Sequence, residues 1–438
     1  MTNMQYGKET TQALKNFPVN NQAVPKSLIK AMIIIKKNAA KALKSTNELD
    51  KTTADAIMAT CDDLLTNFPD HLFPLNAFQG GAGTSTHMNV NEVIASYASD
   101  YAGYLIDPLD DVNKYQSTND VYPTALRIAC IQWIRLLSEE VAGLQESLQK
   151  KELEWSTIRK MGRTELMDAQ IITLGQEFGA YAQAISRDRW RIYKVEERLR
   201  QINLGGTAVG TGSTASRKYS FQIIEFLREE TTIGLSRAEY PMDLTQNNDV
   251  FVEVSGLLKA LSVNLMKISN DLRLMSSAPF HEINLKPLQK GSTIMPGKVN
   301  PVIPEMTIQT SIQVMAYDSA ISMAAASGNL ELNAFLPLIA YNLLTSLEML
   351  CNTVSIFRTK CIESLDAYQK GCEKHLDSMV IYGTSLVPYI GYQKASDLIE
   401  KSGFEKESLR KLLELETQMK KSEIEAIFST SKISSYRD

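Results

Sequence analysis

Four short polar clusters interrupt otherwise apolar, helical sequence, and they hold the residue types that can do chemistry. They are Gly83-Thr84-Ser85-Thr86-His87-Met88-Asn89-Val90-Asn91-Glu92, Gln116-Ser117-Thr118-Asn119-Asp120, Gly162-Arg163-Thr164-Glu165 and Gly291-Ser292-Thr293-Ile294-Met295-Pro296-Gly297-Lys298-Val299-Asn300-Pro301. Small hydroxyls and amides at loop–helix junctions supply hydrogen-bond donors, and helix N-termini add a positive dipole end. Lys298 adds a full positive charge. Together these groups suit a small dianion. Ser, Thr and Asn are equally the residues of helix caps and turns, so type and spacing alone leave both readings open.

Other chemistries find less support. The glycine-rich stretch Gly205 to Gly212 lacks the terminal Lys-Ser/Thr of a P-loop and follows no recognisable strand, so it reads as a tight helix–helix connection. The four histidines (His71, His87, His281, His375) are far apart, and no two share a helix face at ligand spacing. No metal and no cofactor is expected. Neither a Ser-His-Asp nor a Cys-His arrangement follows from spacing.

The elements that must position these clusters are long helices. Leu126, Cys130, Ile134, Leu137, Val141, Leu144 and Leu148 repeat at steps of three and four, with Arg127, Arg135, Glu139 and Glu146 off the stripe. Asn119 or Asp120 can cap this helix, and Pro123 suits its first turn. A second stripe runs Val254, Leu258, Leu261, Leu265, Ile268, Leu272, Met275, and a third Ile339, Leu343, Leu347, Leu350, Val354, Phe357. Helices of about 25 residues, roughly 40 Å, at near-heptad spacing need neighbours along their whole length, which argues for a bundle and for oligomerisation. No strand pattern long enough for a large sheet is visible. From about Ser364 shorter helical patterns follow: Met379 to Ile390, Ala395 to Lys401 and Glu405 to Leu415.

Composition bounds the rest. The 438 residues carry 46 Lys plus Arg against 50 Asp plus Glu, a net charge of −4, with no basic run to neutralise a phosphate backbone. Nucleic acid is not an expected partner. No apolar stretch approaches the roughly 20 residues that span a bilayer, and Met1 to Gln5 show no signal-peptide pattern. Five cysteines, with no C-x-x-C pair, fit free thiols in a reducing compartment. A cytoplasmic location is expected.

The cluster Gly291 to Pro301 resembles the signature loop of the aspartase/fumarase superfamily, and the other three clusters resemble its remaining signature regions in the same order. Similarity extends through Gly175-Gln176-Glu177-Phe178, Leu204 to Gly212, Gly328 to Asn333 and Pro388 to Tyr392, nearly the whole chain. Asn300-Pro301-Val302-Ile303-Pro304-Glu305 and Pro337 to Asn342 are more similar to the ammonia-lyase branch acting on aspartate than to fumarases. The resemblance implies a mainly α, three-domain fold with a central long-helix bundle: an N-terminal helical domain 1–115, the bundle 116–363 and a small C-terminal helical domain 364–438. It also implies a homotetramer in which three subunits build each active site.

The implied reaction is anti-elimination across a Cα–Cβ bond, converting L-aspartate to fumarate and ammonia. Ser292 aligns with the general base. Lowering a serine pKa by roughly six units needs about 8 kcal/mol, for which Lys298 and loop backbone N–H groups are the available sources once the loop closes. Gly291 and Gly297 bracket Ser292 and could give that mobility. By family correspondence Thr84, Ser117, Thr118 and Thr293 would donate to the β-carboxylate as it becomes an aci-carboxylate. Lys298, Asn300 and Thr164 would hold the α-carboxylate, and Asn119 would face the amino group.

The sequence departs from the family pattern at Glu165, where His or Gln is usual. In members with His, that His pairs with a carboxylate matching Glu305. Two carboxylates about 4 Å apart repel by roughly 4 kcal/mol at an effective dielectric of about 20, so they would share a proton unless a cation intervenes. Glu165 is thus expected to contact the substrate ammonium or, with Glu305, to donate to the leaving group; the alternative is a Glu165 turned to solvent or paired with an arginine. His87 stands where Asn is usual, and Gln12 where Arg is common. Two rival readings remain: a lyase acting on another C4 dicarboxylate (malate or a substituted aspartate), and a catalytically silent homologue acting as an assembly partner.

Overall fold

The computed structural model describes residues 6–376 and 378–429; residues 1–5, Asp377 and 430–438, which belong to the first and third expected domains, lie outside the described residues. In chain order, α1 spans Lys8–Asn16, α2 Lys26–Ser45, α3 Lys51–Thr66 and α4 Thr84–Ala102. Helix α5 (Thr118–Glu154) precedes strands β1 (Arg159–Thr164) and β2 (Met167–Thr173), then α6 (Leu174–Leu199). Next come β3 (Gln201–Ile202), α7 (Arg217–Thr231), β4 (Ser236–Arg237), α8 (Pro241–Gln246) and α9 (Asp249–Met275). They are followed by β5 (Ile283–Asn284), α10 (Val302–Ala326), α11 (Leu336–Phe357), β6 (Asp366–Ala367) and α12 (Gln369–Glu373). Four short helices end the described chain: α13 (Met379–Ile390), α14 (Tyr392–Lys401), α15 (Lys406–Glu416) and α16 (Lys421–Phe428). The strands pair only two by two, β1 with β2 and β5 with β6 antiparallel, β3 with β4 parallel. The fold is mainly α.

The three apolar stripes fall on α5, α9 and α11, of 37, 27 and 22 residues, and every stripe residue is buried. Helix α5 is about 55 Å long. It starts two or three residues earlier than caps at Asn119 or Asp120 would place it: Ser117 precedes it, with Oγ accepting from the Asn119 N–H at 3.2 Å. Pro123 is therefore the sixth residue rather than a first-turn residue, and its ring leaves the Asn119 carbonyl without its i+4 donor. Asn203 Nδ2 donates to that carbonyl at 3.0 Å instead. Two further long helices, α6 and α10, lie outside these three stripes; α6 buries Leu174, Phe178, Tyr181, Ile185, Ile192, Val195 and Leu199 at the same spacing, with the buried Asp188 among them. α10 is apolar on several faces, with Ile312 and Met323 exposed.

The chain divides into two compact units, each built from three stretches. The first holds Met1–Val141, Asp188–Val263 and Gln309–Val354. In it α2 packs on α3, α4 and α7, and α4 packs on α1 and α3. Glu92 of α4 anchors the start of α1, accepting from the N–H groups of Gly7, Glu9 and Thr10 and from the Thr10 hydroxyl. The second unit holds Ala142–Arg187, Asn264–Ile308 and Ser355–Asp438. Its β1–β2 hairpin packs on α12 and α13. Helices α13 to α16 close around Tyr382, Leu386, Leu398, Leu409, Leu413, Ile424 and Phe428. No helix among the described residues is long and apolar enough to cross a membrane.

Candidate active site

In the first unit the starts of α4 and α5 meet. Gly81, Ala82 and Gly83 all adopt positive φ, and a Cβ on Gly83 would lie 2.2 Å from the Tyr122 ring, so only glycine lets the chain turn into α4 here. That turn leaves Thr84 exposed as the first helical residue, its hydroxyl donating to the Gly81 carbonyl at 2.7 Å. One turn on, His87 is buried, and its Nδ1 lies 2.9 Å from Thr118 Oγ1. Thr84, Ser117, Thr118 and Asn119 are thus gathered in one region of one unit, the last three half-buried.

Asp120 organises this region. Its carboxylate accepts from the N–H groups of Ser117, Gly205 and Thr207 at 3.0, 3.1 and 2.9 Å, tying the glycine-rich loop to the start of α5. Gly205 to Gly212 therefore does serve as a structural connection, giving its N–H groups to a carboxylate of the chain. Asn119 Nδ2 donates to the Ala208 carbonyl at 2.7 Å. Burial pushes the Asp120 carboxyl up to about 6, against the three N–H donors and the Lys36 charge. Lys36 is itself fully buried, bonded to Asn113 Oδ1 at 2.8 Å, and burial drives its pKa well down.

In the second unit Thr164 and Glu165 sit at the tip of the β1–β2 hairpin rather than on a loop–helix junction. Thr164 pairs with Met167, so Glu165 and Leu166 are the two turn residues, both left-handed (φ 54° and 65°). That is the pattern of a type I′ turn, which favours Asn-Gly, and a Glu-Leu pair there stores strain. Thr164 and Glu165 are exposed, and Glu165 has no hydrogen bond or ion pair among the described residues. A buried charge network holds the hairpin base: Lys160 Nζ bonds Glu177 at 2.5 Å and Glu282 at 2.7 Å, and Arg163 Nη1 bonds Glu282 at 2.7 Å. Burial acts to lower the Lys160 pKa, but the two carboxylates raise it above the usual lysine value. Nothing in the sequence pattern flagged this network.

The loop from Leu285 to Pro301 carries Ser292, Thr293, Lys298 and Asn300. Ser292 Oγ accepts two backbone hydrogen bonds, from Ile294 N at 3.2 Å and Met295 N at 3.0 Å. Two N–H dipoles on one hydroxyl oxygen favour its anionic form. Pro296 and Gly297 (φ 80°) form the next turn, closed by Lys298 N to the Met295 carbonyl at 3.4 Å. Asn300 Nδ2 donates to the Gly291 carbonyl at 2.7 Å and pins the loop ends together. Thr293 and Lys298 are exposed, and Lys298 makes no ion pair among the described residues. Ile294 is 84% exposed.

Glu305, half-buried in the first turn of α10, lines a cavity of about 780 Å³ with Arg273, His281, Asn284 and Asn300. Glu165 does not line it. Among the described residues no group of three His, Cys, Asp or Glu side chains is placed to hold a metal ion.

Mainly helical architecture with a serine-bearing, lysine-flanked loop defines a class, and the comparisons name it. The family model described as lyase matches residues 2–316, and the chain belongs to the lyase family. Curated relatives include the aspartate ammonia-lyases of a Bacillus species, 39% identical over 93% of this chain and 89% of theirs, and of Escherichia coli K12, 37% identical over 98% and 92%. That of Helicobacter pylori 26695 is 40% identical over 89% of this chain and 86% of its own. Among solved structures, fumarate lyase:delta crystallin from Brucella melitensis bound to cobalt aligns at a TM-score of 0.91 with 37% identity, covering 98% of this chain and 96% of that one. Recombinant class II fumarase from Schistosoma mansoni aligns at 0.94 with 30% identity, covering 98% and 95%.

Proposed function

We propose that the chain is a carbon–nitrogen lyase that reversibly eliminates ammonia from L-aspartate to give fumarate. The observation that carries this reading is the pair of backbone N–H groups on Ser292 Oγ, which supports that oxygen as the base. Ser292 takes the Cβ proton, and the electron pair left behind passes into the β-carboxylate to form an aci-carboxylate. Thr84, Ser117, Thr118 and Thr293 donate to that developing charge, so they bind the transition state more strongly than the substrate. The electrons then return to form Cα=Cβ as the C–N bond breaks and ammonia leaves. Lys298, Asn300 and Thr164 hold the α-carboxylate, Asn119 faces the amino group, and Glu165 with Glu305 serves the leaving group.

The working enzyme in this reading is a homotetramer whose active sites each draw on three subunits. Ile312 and Met323, exposed on α10 of a single chain, support that assembly. The three-domain division at 115/116 and 363/364 belongs to the same reading. All five cysteines are free of disulfides, which supports a cytoplasmic location. Fumarate formation, followed by ultraviolet absorbance with L-aspartate and L-malate in parallel, tests the substrate. Turnover of aspartate alone is expected; turnover of malate alone would overturn the reading in favour of a fumarase-type reaction, and silence on both would overturn it in favour of a non-catalytic partner.

A further inference from the structure

Beneath Thr118 the first unit carries a histidine that the reaction scheme does not use. His87 is 2% exposed on α4, with Nδ1 at 2.9 Å from Thr118 Oγ1. Its Nε2 is buried and has no hydrogen-bond partner among the described residues. Burial, and then the charge of Lys36, hold the ring well below the usual histidine pKa, so it is neutral and carries one ring hydrogen. Lys36 lies in turn under the influence of Asp120 on α5 and Cys61 on α3.

Which nitrogen carries that hydrogen decides what Thr118 can do. With the hydrogen on Nε2, a buried N–H would be stranded, and Nδ1 would take the Thr118 hydroxyl hydrogen. With the hydrogen on Nδ1, only a bare lone pair is left unpaired at Nε2, and buried acceptors tolerate that better than buried N–H groups. The Thr118 oxygen then accepts from His87, and its own hydrogen is free to point elsewhere.

We infer that His87 is a positioning residue: its Nδ1–H donates to Thr118 Oγ1 and so aims the Thr118 hydroxyl hydrogen at the substrate carboxylate. This rests on the role given to Thr118 in the proposed reaction. A fixed tautomer means that Thr118 meets the developing charge as a donor already oriented, with no rotor to reorganise during the step. The residue touches Thr118 and acts through it.

Nitrogen-15 solid-state spectra of histidine-labelled protein test the tautomer without reference to any substrate, with His87→Asn identifying the signal. A protonated Nδ1 and a bare Nε2 at pH 7 are expected; a proton on Nε2 overturns the inference even if the protein turns over aspartate. Kinetics on L-aspartate add the second arm. His87→Leu should lower kcat about tenfold with KM held within about twofold, and His87→Asn, whose amide N–H can replace Nδ1–H, should recover most of the loss. In a Thr118→Val background His87→Leu should cost nothing further. An equal loss in both backgrounds, or no recovery by asparagine, means a merely structural histidine and overturns the inference. Inactivity on aspartate with the predicted tautomer intact would count against the proposed substrate instead.

Discussion

Gly291→Ala is the substitution whose consequence can be worked most fully from the geometry. A Cβ there would stand 2.0 Å from the Lys298 carbonyl oxygen and 2.7 Å from its carbon, so the two arms of the loop must part by about 1.5 Å to reach ordinary contact. The hydrogen bond from Asn300 Nδ2 to the Gly291 carbonyl, 2.7 Å long, would then be broken, a loss of about 1 kcal/mol. Ser292 is the next residue, and a displacement of about 1 Å at a reacting group costs on the order of 100-fold in rate. The loop contributes no buried core, so global stability should fall by no more than about 1–2 kcal/mol. Gly297→Ala is the internal control: nothing lies within 4 Å of its Cβ, and only the positive φ resists, at about 1–2 kcal/mol. Fumarate formation and thermal melting, measured on both variants, check the argument. A folded Gly291→Ala enzyme with kcat within about threefold of wild type would refute it.

Three further outcomes are expected. Glu165→Gln should lower kcat, since it removes the carboxyl at the hairpin tip; an unchanged rate would remove Glu165 from the chemistry. His87 is held neutral in the fold, so below pH 6.5 the unfolded chain binds a proton that the folded one does not, and stability is lost as pH falls. His87→Asn should therefore flatten the acid side of the stability curve by up to about 1.4 kcal/mol per pH unit, read from denaturant titrations at several pH values. Glu282→Ala leaves Lys160, 3% exposed, and Arg163 short of their buried partner, and should cost about 3–5 kcal/mol of stability. It should also raise KM through the hairpin that carries Thr164.

The elements most legible in the sequence were those with one-sided burial. The stripes on α5, α9 and α11 read cleanly because each has one wet face, and α13 falls on the residues expected of it, Met379 to Ile390. Helix α10 hid because it is apolar on several faces, and the stripe on α6 is interrupted midway by the charged but buried Asp188. The β1–β2 hairpin escaped because its turn is Glu165-Leu166 in left-handed conformation, without the Asn-Gly that announces such a turn. At the candidate site, the loop around Ser292 was visible as a contiguous motif, and the two N–H groups on its hydroxyl follow from local chain geometry. The contacts beneath it were not visible. His87 with Thr118, Asp120 with Gly205 and Thr207, and Lys160 with Glu282 each join residues at least 31 positions apart, and no local pattern encodes such pairs.

The central claim is that the Ser292 oxygen, held by the N–H groups of Ile294 and Met295, removes the Cβ proton. Fumarate formation from L-aspartate by wild type and Ser292→Ala, with melting curves to show that both are folded, tests it most directly. The account predicts a loss of at least about 100-fold in kcat with an unchanged melting temperature. Turnover by a folded Ser292→Ala enzyme within about tenfold of wild type would contradict it.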